Sequence, residues 1–332
     1  MMSLPPVSIY RQVRIAGWSA ATAAGDAAAS WQAIAAGRHS LRHEADIGWC
    51  GRLAEPAAGC ASLAVRVACR AWPGGCAVDP CPALSMSTSK GDPDLLMAAL
   101  GGRHEAFVAS WPGQLQAVVA GSLGWPIHIG LPVAAACASG LYGLLAVADA
   151  IEHGRTSSGL AGAVDLALVP LILGGFRNMG VTCGATLPTA LRGDGTGFAP
   201  AEGGAAIALG HRGPWRLVAG VRLGDAGHET ELRHPDVLRA LLLGLWSACP
   251  HPDLIVVHGT GTGRGDAYEM PVLAESPWGG TPLVAMKPVI GHCLGASGAV
   301  ELAVALEAPA RRVWKIALGF GGHVVAVAVE RT

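Results

Sequence analysis

The chain has 332 residues, 23 Lys and Arg against 24 Asp and Glu, and a formal net charge of −1. That length suffices to bury a large core in one or two domains, and balanced charge without a long basic run gives no electrostatic case for a nucleic-acid partner. Hydrophobic residues make up 51% but aromatics only 5%, with 47 glycines, so the apolar character comes from small side chains that let helices and strands approach closely, as in a layered α/β protein.

Taken in chain order, residues 13–17 (VRIAG) predict a strand entering a glycine turn, and 30–36 a helix ended by Gly37. A second helix is expected over 61–72, then a Pro- and Gly-containing stretch to Pro82, then a strand over 84–88 before Lys90-Gly91-Asp92. A helix over 114–123 leads to a strand over 133–136. The next segment, CASGLYGLLAVADAIEHG, puts Leu141, Leu144, Leu145, Ala148 and Ile151 on one helical face and stops at Gly154, so Cys137 is expected at a strand-to-helix turn. The second half repeats the plan. Strands are expected over 205–209, 254–258, 283–285 and 324–329, and 283–285 leads through KPVIGHCLGASG into an apolar helix over 299–306, echoing the surroundings of Cys137. A weak internal duplication is the simplest account. It predicts two packed α/β halves, 1–203 and 204–332, around central sheets.

The apolar runs, 238–245 among them, fall short of the roughly 20 residues a spanning helix needs, so no membrane span is expected. The opening MMSLPPVSIYRQVRIAG lacks a charged start, a long apolar stretch and a small-residue cleavage site, which makes the cytoplasm the default location. Nine cysteines, odd in number and without CxxC pairs, argue against a disulfide framework or a zinc knuckle, and most are expected to be inert buried thiols.

Cys137 is the first candidate nucleophile, because a thiol at a helix N-terminus feels the positive end of the helix dipole and unpaired amides, both favouring thiolate. For any one cysteine among nine, a structural thiol is the better guess, and context must overturn it. Ala-Cys-Ala-Ser-Gly contributes part of that context: small neighbours leave room for a substrate carbonyl, and the Cys137 amide can point into an oxyanion hole. His258 ends the apolar LIVV and opens GTGTGRGD, whose glycines allow tight turns and whose Thr260 and Thr262 hydroxyls can line a pocket. His292, in VIGHCLGASG, also precedes a helix, where a neutral imidazole is favoured. Either histidine alone is better read as bonding the backbone; the two together are better read as sharing a role. A metal site from His258, Asp266, Glu269 and His292 matches no ligand motif, and GTGTGRGD has neither the GxGxxG order nor a Walker ending. A cysteine hydrolase could pair Cys137 with a histidine, but no signature of one is present.

AACASG, HGTGTGRGD, KPVIGHCLGASGAVE and GFGGH occur in the order and approximate spacing of the elongating β-ketoacyl synthases, so the chain resembles that family over nearly its whole length. VRIAGWSAATAAG with SWQAIAAGR, and RGDGTGFAPAEGGAAIAL with its Gly-Phe followed by Glu-Gly, add to the match; one motif is weak, five in order are specific. The resemblance implies a thiolase fold, five-layered αβαβα with two pseudo-duplicated halves. It implies that Cys137 takes the acyl group, that His258 and His292 bind the extender's thioester carbonyl and promote loss of its carboxylate, and that Lys287 and Glu301 form a charged pair organising His292. Phe320 matches the gating phenylalanine whose amide joins that of Cys137 in the oxyanion hole. Gly321 and Glu202 fall in matching motifs as supporting or pocket-lining residues.

The implied activity is that of an acyltransferase catalysing decarboxylative Claisen condensation with malonyl-acyl carrier protein, in fatty acid, polyketide or polyene biosynthesis, without cofactor or metal. Implied partners are an acyl carrier protein, meeting arginines such as Arg38, Arg42, Arg52, Arg66 and Arg70, and a mate in a homodimer or in a heterodimer with a related ketosynthase or chain-length factor. Cys293 adjoins His292 and is not the second cysteine of biosynthetic thiolases; the Cys, His, His order also departs from the Cys, His, Asn of initiating synthases. The stretches between Lys90 and Leu131 and between Glu202 and His258 are shorter than in the family, and Gly322-His323 replaces its Gly-Thr-Asn. The rival reading is a non-catalytic, chain-length-factor-like partner; against it stands the full set of Cys137, His258, His292, Lys287 and Glu301. A further rival is a condensing enzyme that skips decarboxylation, or a simple acyltransferase on the same fold.

Overall fold

The computed structural model describes residues 5–72 and 79–332; the opening MMSL and residues 73–78 of the Pro- and Gly-containing stretch lie outside the described residues. The main sheet is built from two halves with the same internal order. Arg14–Ala21 and Trp215–Gly224 are the innermost strands. Each is antiparallel to the next strand out, Gly203–Gly210 or His323–Arg331, which is antiparallel in turn to Gly159–Asp165 or Arg312–Gly319. Outside these, Ala83–Ser87 and Leu254–Val256 pair in parallel, and short parallel strands, Ile129–Gly130 and Leu283–Val284, close each edge. The halves join where Arg14 pairs with Arg216 and Ile15 with Trp215. Because Gly203–Gly210 belongs to the first half, the division falls between Gly210 and Trp215 rather than at 203/204.

Period-two alternation then sorts side chains into layers. In Gly159–Asp165 and Gly203–Gly210, Ala161, Ala163, Ala205 and Ile207 face one core, while Leu160, Val164, Ala206 and Ala208 face another. In the second half Val325, Val327 and Val329 share the first of those cores, and Val324, Ala326 and Ala328 face a third. The shared core holds the helices Ser139–Glu152 and Ser297–Ala305; the outer cores hold Cys60–Ala71 and Gln114–Ser122 on one side, Pro235–Ala248 and Gly263–Leu273 on the other. This is helix, sheet, helix, sheet, helix. Strands buried on both faces read as continuous small or branched apolar runs.

The central helices cross at glycine. A Cβ on Gly140 would lie 2.8 Å from Ala299 Cβ and N, and one on Gly298 would lie 2.9 Å from Leu141 Cγ, so each glycine admits the other helix.

Most expected elements appear with shifted ends: Ala27–Ala35, Cys60–Ala71, Ala83–Ser87 and Gln114–Ser122. Residues 133–136 do not form the expected strand; ladder pairing stops at Gly130, and the chain runs unpaired into a 3₁₀ turn at Ala136–Ala138. The run after His258 is not all loop, since Thr262 caps the helix Gly263–Leu273 by accepting from the Gly265 amide at 3.1 Å. No helix among the described residues is long and apolar enough to cross a membrane.

Candidate active site

The three expected residues meet in one cavity of about 610 Å³, lined by Cys137, His258 and His292 together with Phe176, Phe198 and Phe320. Its mouth lies among the exposed Met179, Thr230 and Arg264; Arg264 pairs across the opening with Glu231.

Cys137 is half-buried in the 3₁₀ turn that opens the helix Ser139–Glu152. Ala136, just before it, has φ of 46°, a left-handed conformation that disfavours a side chain and tightens the turn. Ser139 Oγ accepts from the Ala135 amide at 2.9 Å and donates to the Ala136 carbonyl at 2.7 Å, which holds that conformation. Gly319 packs on the same turn, where a Cβ would come within 2.7 Å of the Ala135 carbonyl oxygen, and so brings Phe320 alongside. Neither the Cys137 nor the Phe320 amide has a backbone acceptor among the described residues. Burial pushes the Cys137 thiol up to about 11, against the downward pull of Lys90 and Lys287. Desolvation thus outweighs the nearby cations and shifts the thiol against the direction expected from the helix start.

His258 follows the strand Leu254–Val256, and its backbone is gripped by Glu269, whose carboxylate accepts from the His258 amide at 2.9 Å and the Gly259 amide at 2.8 Å. Lys287 Nζ donates to the His258 carbonyl at 2.5 Å and lies 3.5 Å from its Nδ1. His292 is held by backbone bonds to Ala199 and Ala201 and by a 2.8 Å bond between Nδ1 and Ser297 Oγ. Its ring packs edge-on against Phe198, 4.8 Å between centroids, and against His258 at 5.6 Å. Burial, then the charge of Lys287, holds both imidazoles well below their ordinary range, so both are neutral near pH 7.

Lys287 and Glu301 do form a buried pair, at 2.7 Å, but it stands behind His258 rather than His292. The short helix Lys287–Ile290 carries the lysine back toward the end of strand Leu254–Val256, while His292 already has a hydroxyl partner in Ser297. Thr260 and Thr262 line the cavity, with hydroxyls 3.1 Å apart. Glu202 does not line it; its carboxylate accepts from Arg52 and from the Leu53 amide. Gly321 does not line it either; its amide donates to the Glu229 carbonyl at 2.7 Å, tying the Phe320 turn to the loop at the mouth. Asp266 and Glu269, weighed as metal ligands, are occupied by backbone amides: those of residues 191, 192 and 193 for Asp266, and those of 258 and 259 for Glu269.

Sequence reasoning did not single out Ser297, Phe198 or Lys315. Ser297 was legible as the repeat of Ser139 in the two ASG motifs, and Phe198 stood in the Gly-Phe pair. Lys315, inside the apolar VWKIAL, gave only the signal of a lone charge in a buried strand.

A family model for the β-ketoacyl synthase N-terminal domain matches residues 87–212, and one for the C-terminal domain matches 247–320. The chain is 32% identical over 218 residues, 58% of its own length and 39% of the other, to the chloroplastic 3-oxoacyl-[acyl-carrier-protein] synthase II of Arabidopsis thaliana. It is 30% identical over 216 residues to a highly reducing polyketide synthase of Aspergillus fumigatus, covering 59% of this chain and 9% of that one. The chain spans about half the length, or less, of the curated relatives it matches. Among solved structures, a β-ketoacyl synthase from Burkholderia phymatum shares its fold with a TM-score of 0.85 at 21% identity, covering 97% of this chain and 100% of that one. The ishigamide ketosynthase/chain length factor does so at 0.84 and 20%, with the same coverage. With both domain models matched in order around one cavity, the chain belongs to the β-ketoacyl synthase family and has the thiolase fold.

Proposed function

We propose that the chain is a β-ketoacyl synthase that loads an acyl group on Cys137 and condenses it with a malonyl group delivered by an acyl carrier protein. The observation that carries this reading is the convergence of Cys137 with two neutral, differently anchored histidines in one cavity. In the first step the Cys137 sulfur attacks the acyl thioester, its proton leaves with the departing carrier thiol, and the Cys137 and Phe320 amides receive the oxyanion. In the second, the malonyl carbonyl sits against the two imidazoles. The Lys287 ammonium only donates, so His258 Nδ1 accepts and its proton resides on Nε2, which donates to that carbonyl. Cleavage of the carbon-carboxylate bond releases CO2 and leaves an enolate stabilised by that bond; its carbon attacks the Cys137 thioester and the cysteine leaves as thiolate.

A carrier protein and a related mate belong to the same proposal. The similar solved structures include a type II acyl-carrier protein in complex with its ketosynthase and a ketosynthase/chain length factor. Met97, Leu100, Phe107, Val108, Trp111 and Ile127 are all exposed within the stretch of chain that leads into the edge strand Ile129–Gly130, apolar side chains available to a mate. Of the arginines considered for carrier docking, Arg42, Arg52, Arg66 and Arg70 are paired with Glu44, Glu55 or Glu202, leaving Arg38 as the exposed candidate without a salt bridge among the described residues.

Intact-protein mass spectrometry after incubation with acyl-loaded carrier protein tests the reading. We expect an acyl adduct on the wild type, none on Cys137→Ala, and discharge by malonyl carrier protein with carbon–carbon bond formation. No adduct at any chain length, with candidate mates present, would replace the synthase with a non-catalytic partner.

A further inference from the structure

Lys315 lies in the strand Arg312–Gly319 and is fully buried. Alternation places it with Val313 and Ala317 on the face toward the central helices, where an apolar side chain would be the ordinary choice. A lone ammonium there is costly, so its surroundings must hold it. Its Nζ is 2.5 Å from Glu301 Oε2, an ion pair without good hydrogen-bond alignment, and donates to the Val257 carbonyl at 3.0 Å and its neighbour Ile316 at 2.6 Å. The other oxygen of Glu301 is taken by Lys287, which in turn holds His258. Val257 is the residue before His258. Lys315 thus grips the His258 segment twice, directly through Val257 and indirectly through Glu301 and Lys287.

We propose that Lys315 is a positioning residue of the active site, which keeps the Lys287 ammonium behind His258 and so keeps His258 a neutral Nε2–H donor. The inference rests on the synthase reading for its purpose but not for its geometry. Four buried ionisable groups form the cluster, Lys287 and Lys315 with Glu301 and Glu269, and His258 faces it. With Lys315 gone, Glu301 binds Lys287 alone, its charge is no longer shared, and two effects follow: the lysine is drawn from His258, and the imidazole protonates more readily. Burial, opposed by Glu301, pushes Lys315 down to about 8, with Lys287 adding to the fall, so the wild type loses this cation as pH rises through that value.

The test is the imidazole nitrogen NMR spectrum of the free protein across pH, with His258 assigned by His258→Gln. In the wild type we expect the Nε2–H tautomer and a second change in His258 signals near pH 8. In Lys315→Met that change should vanish, and His258 should protonate at a pH higher by about one unit. Decarboxylation of malonyl-pantetheine should fall in kcat with little change in KM. A Lys315→Met protein with wild-type His258 titration and only a lowered Tm would overturn the proposal. Should the variant not fold, a wild type whose His258 signals stay unchanged from pH 7 to 9 would overturn it alone. If His258 responds while no acyl adduct forms on Cys137, the synthase reading falls and the role of Lys315 stands.

Discussion

The turn that carries Cys137 and the turn that follows His292 are the same piece of backbone used twice. Ala136–Ala138 and Leu294–Ala296 are both 3₁₀ turns, both open on a residue with φ of 46°, and both run through Ser-Gly into a central helix. In this register Gly295 occupies the position of Cys137, and Ser297 that of Ser139. The difference lies in what surrounds them. The first turn leaves its second residue beside the cavity; in the second turn a Cβ at Gly295 would lie 2.8 Å from Asp165 Oδ2 and 2.9 Å from the Ser89 amide. Ser139 braces its own backbone, whereas its twin reaches back to orient His292. A duplicated scaffold thus presents a thiol to the cavity from one copy and a hydroxyl that orients an imidazole from the other, because tertiary packing left room at a different point in each.

The largest contrast is between Cys137→Ala and Gly295→Ala. The first should abolish acyl loading in the mass-spectrometric assay and leave Tm nearly unchanged, since it removes one sulfur beside a cavity. The second should lower stability by about 2 kcal/mol, read as a lower urea midpoint, because the added methyl meets a buried carboxylate and backbone. A Gly295→Ala protein as stable as the wild type would show that the second turn is not closed. The serines should separate in the opposite sense. Ser139→Ala leaves the buried Ala135 amide unpaired and should cost about 1–3 kcal/mol. Ser297→Ala should cost less stability but reduce condensation about 10- to 100-fold by freeing the His292 ring. The smallest effect concerns the thiol. With Cys137 pushed up to about 11, its alkylation by iodoacetamide should climb with pH, without a plateau below pH 9, in peptide maps that separate it from the exposed Cys69. A plateau below pH 8 would mean that the helix-start amides hold it as a thiolate after all.

Much of the site was legible in the chain. The strand-to-helix position of Cys137, the two histidine loops and the doubled ASG segment are local patterns, and local patterns survive in a sequence. Residues 133–136 were misread because an apolar run before a helix looks like a strand whether or not another strand pairs with it. The helix Gly263–Leu273 was hidden by its glycine-rich start and by Pro271. The end of the first half was misplaced because only pairing with Arg14–Ala21 assigns Gly203–Gly210 to it.

By itself, then, the sequence determined the layered α/β architecture, its duplication, and Cys137, His258 and His292 as the candidates that meet in one cavity, since periodicity and motif order are properties of neighbouring residues. Tertiary structure decided which imidazole Lys287 supports, that Glu301 serves two lysines, and that burial pushes the Cys137 thiol up. Those facts depend on contacts between segments far apart in the chain and on how completely water is excluded, and neither is written in any local run of residues.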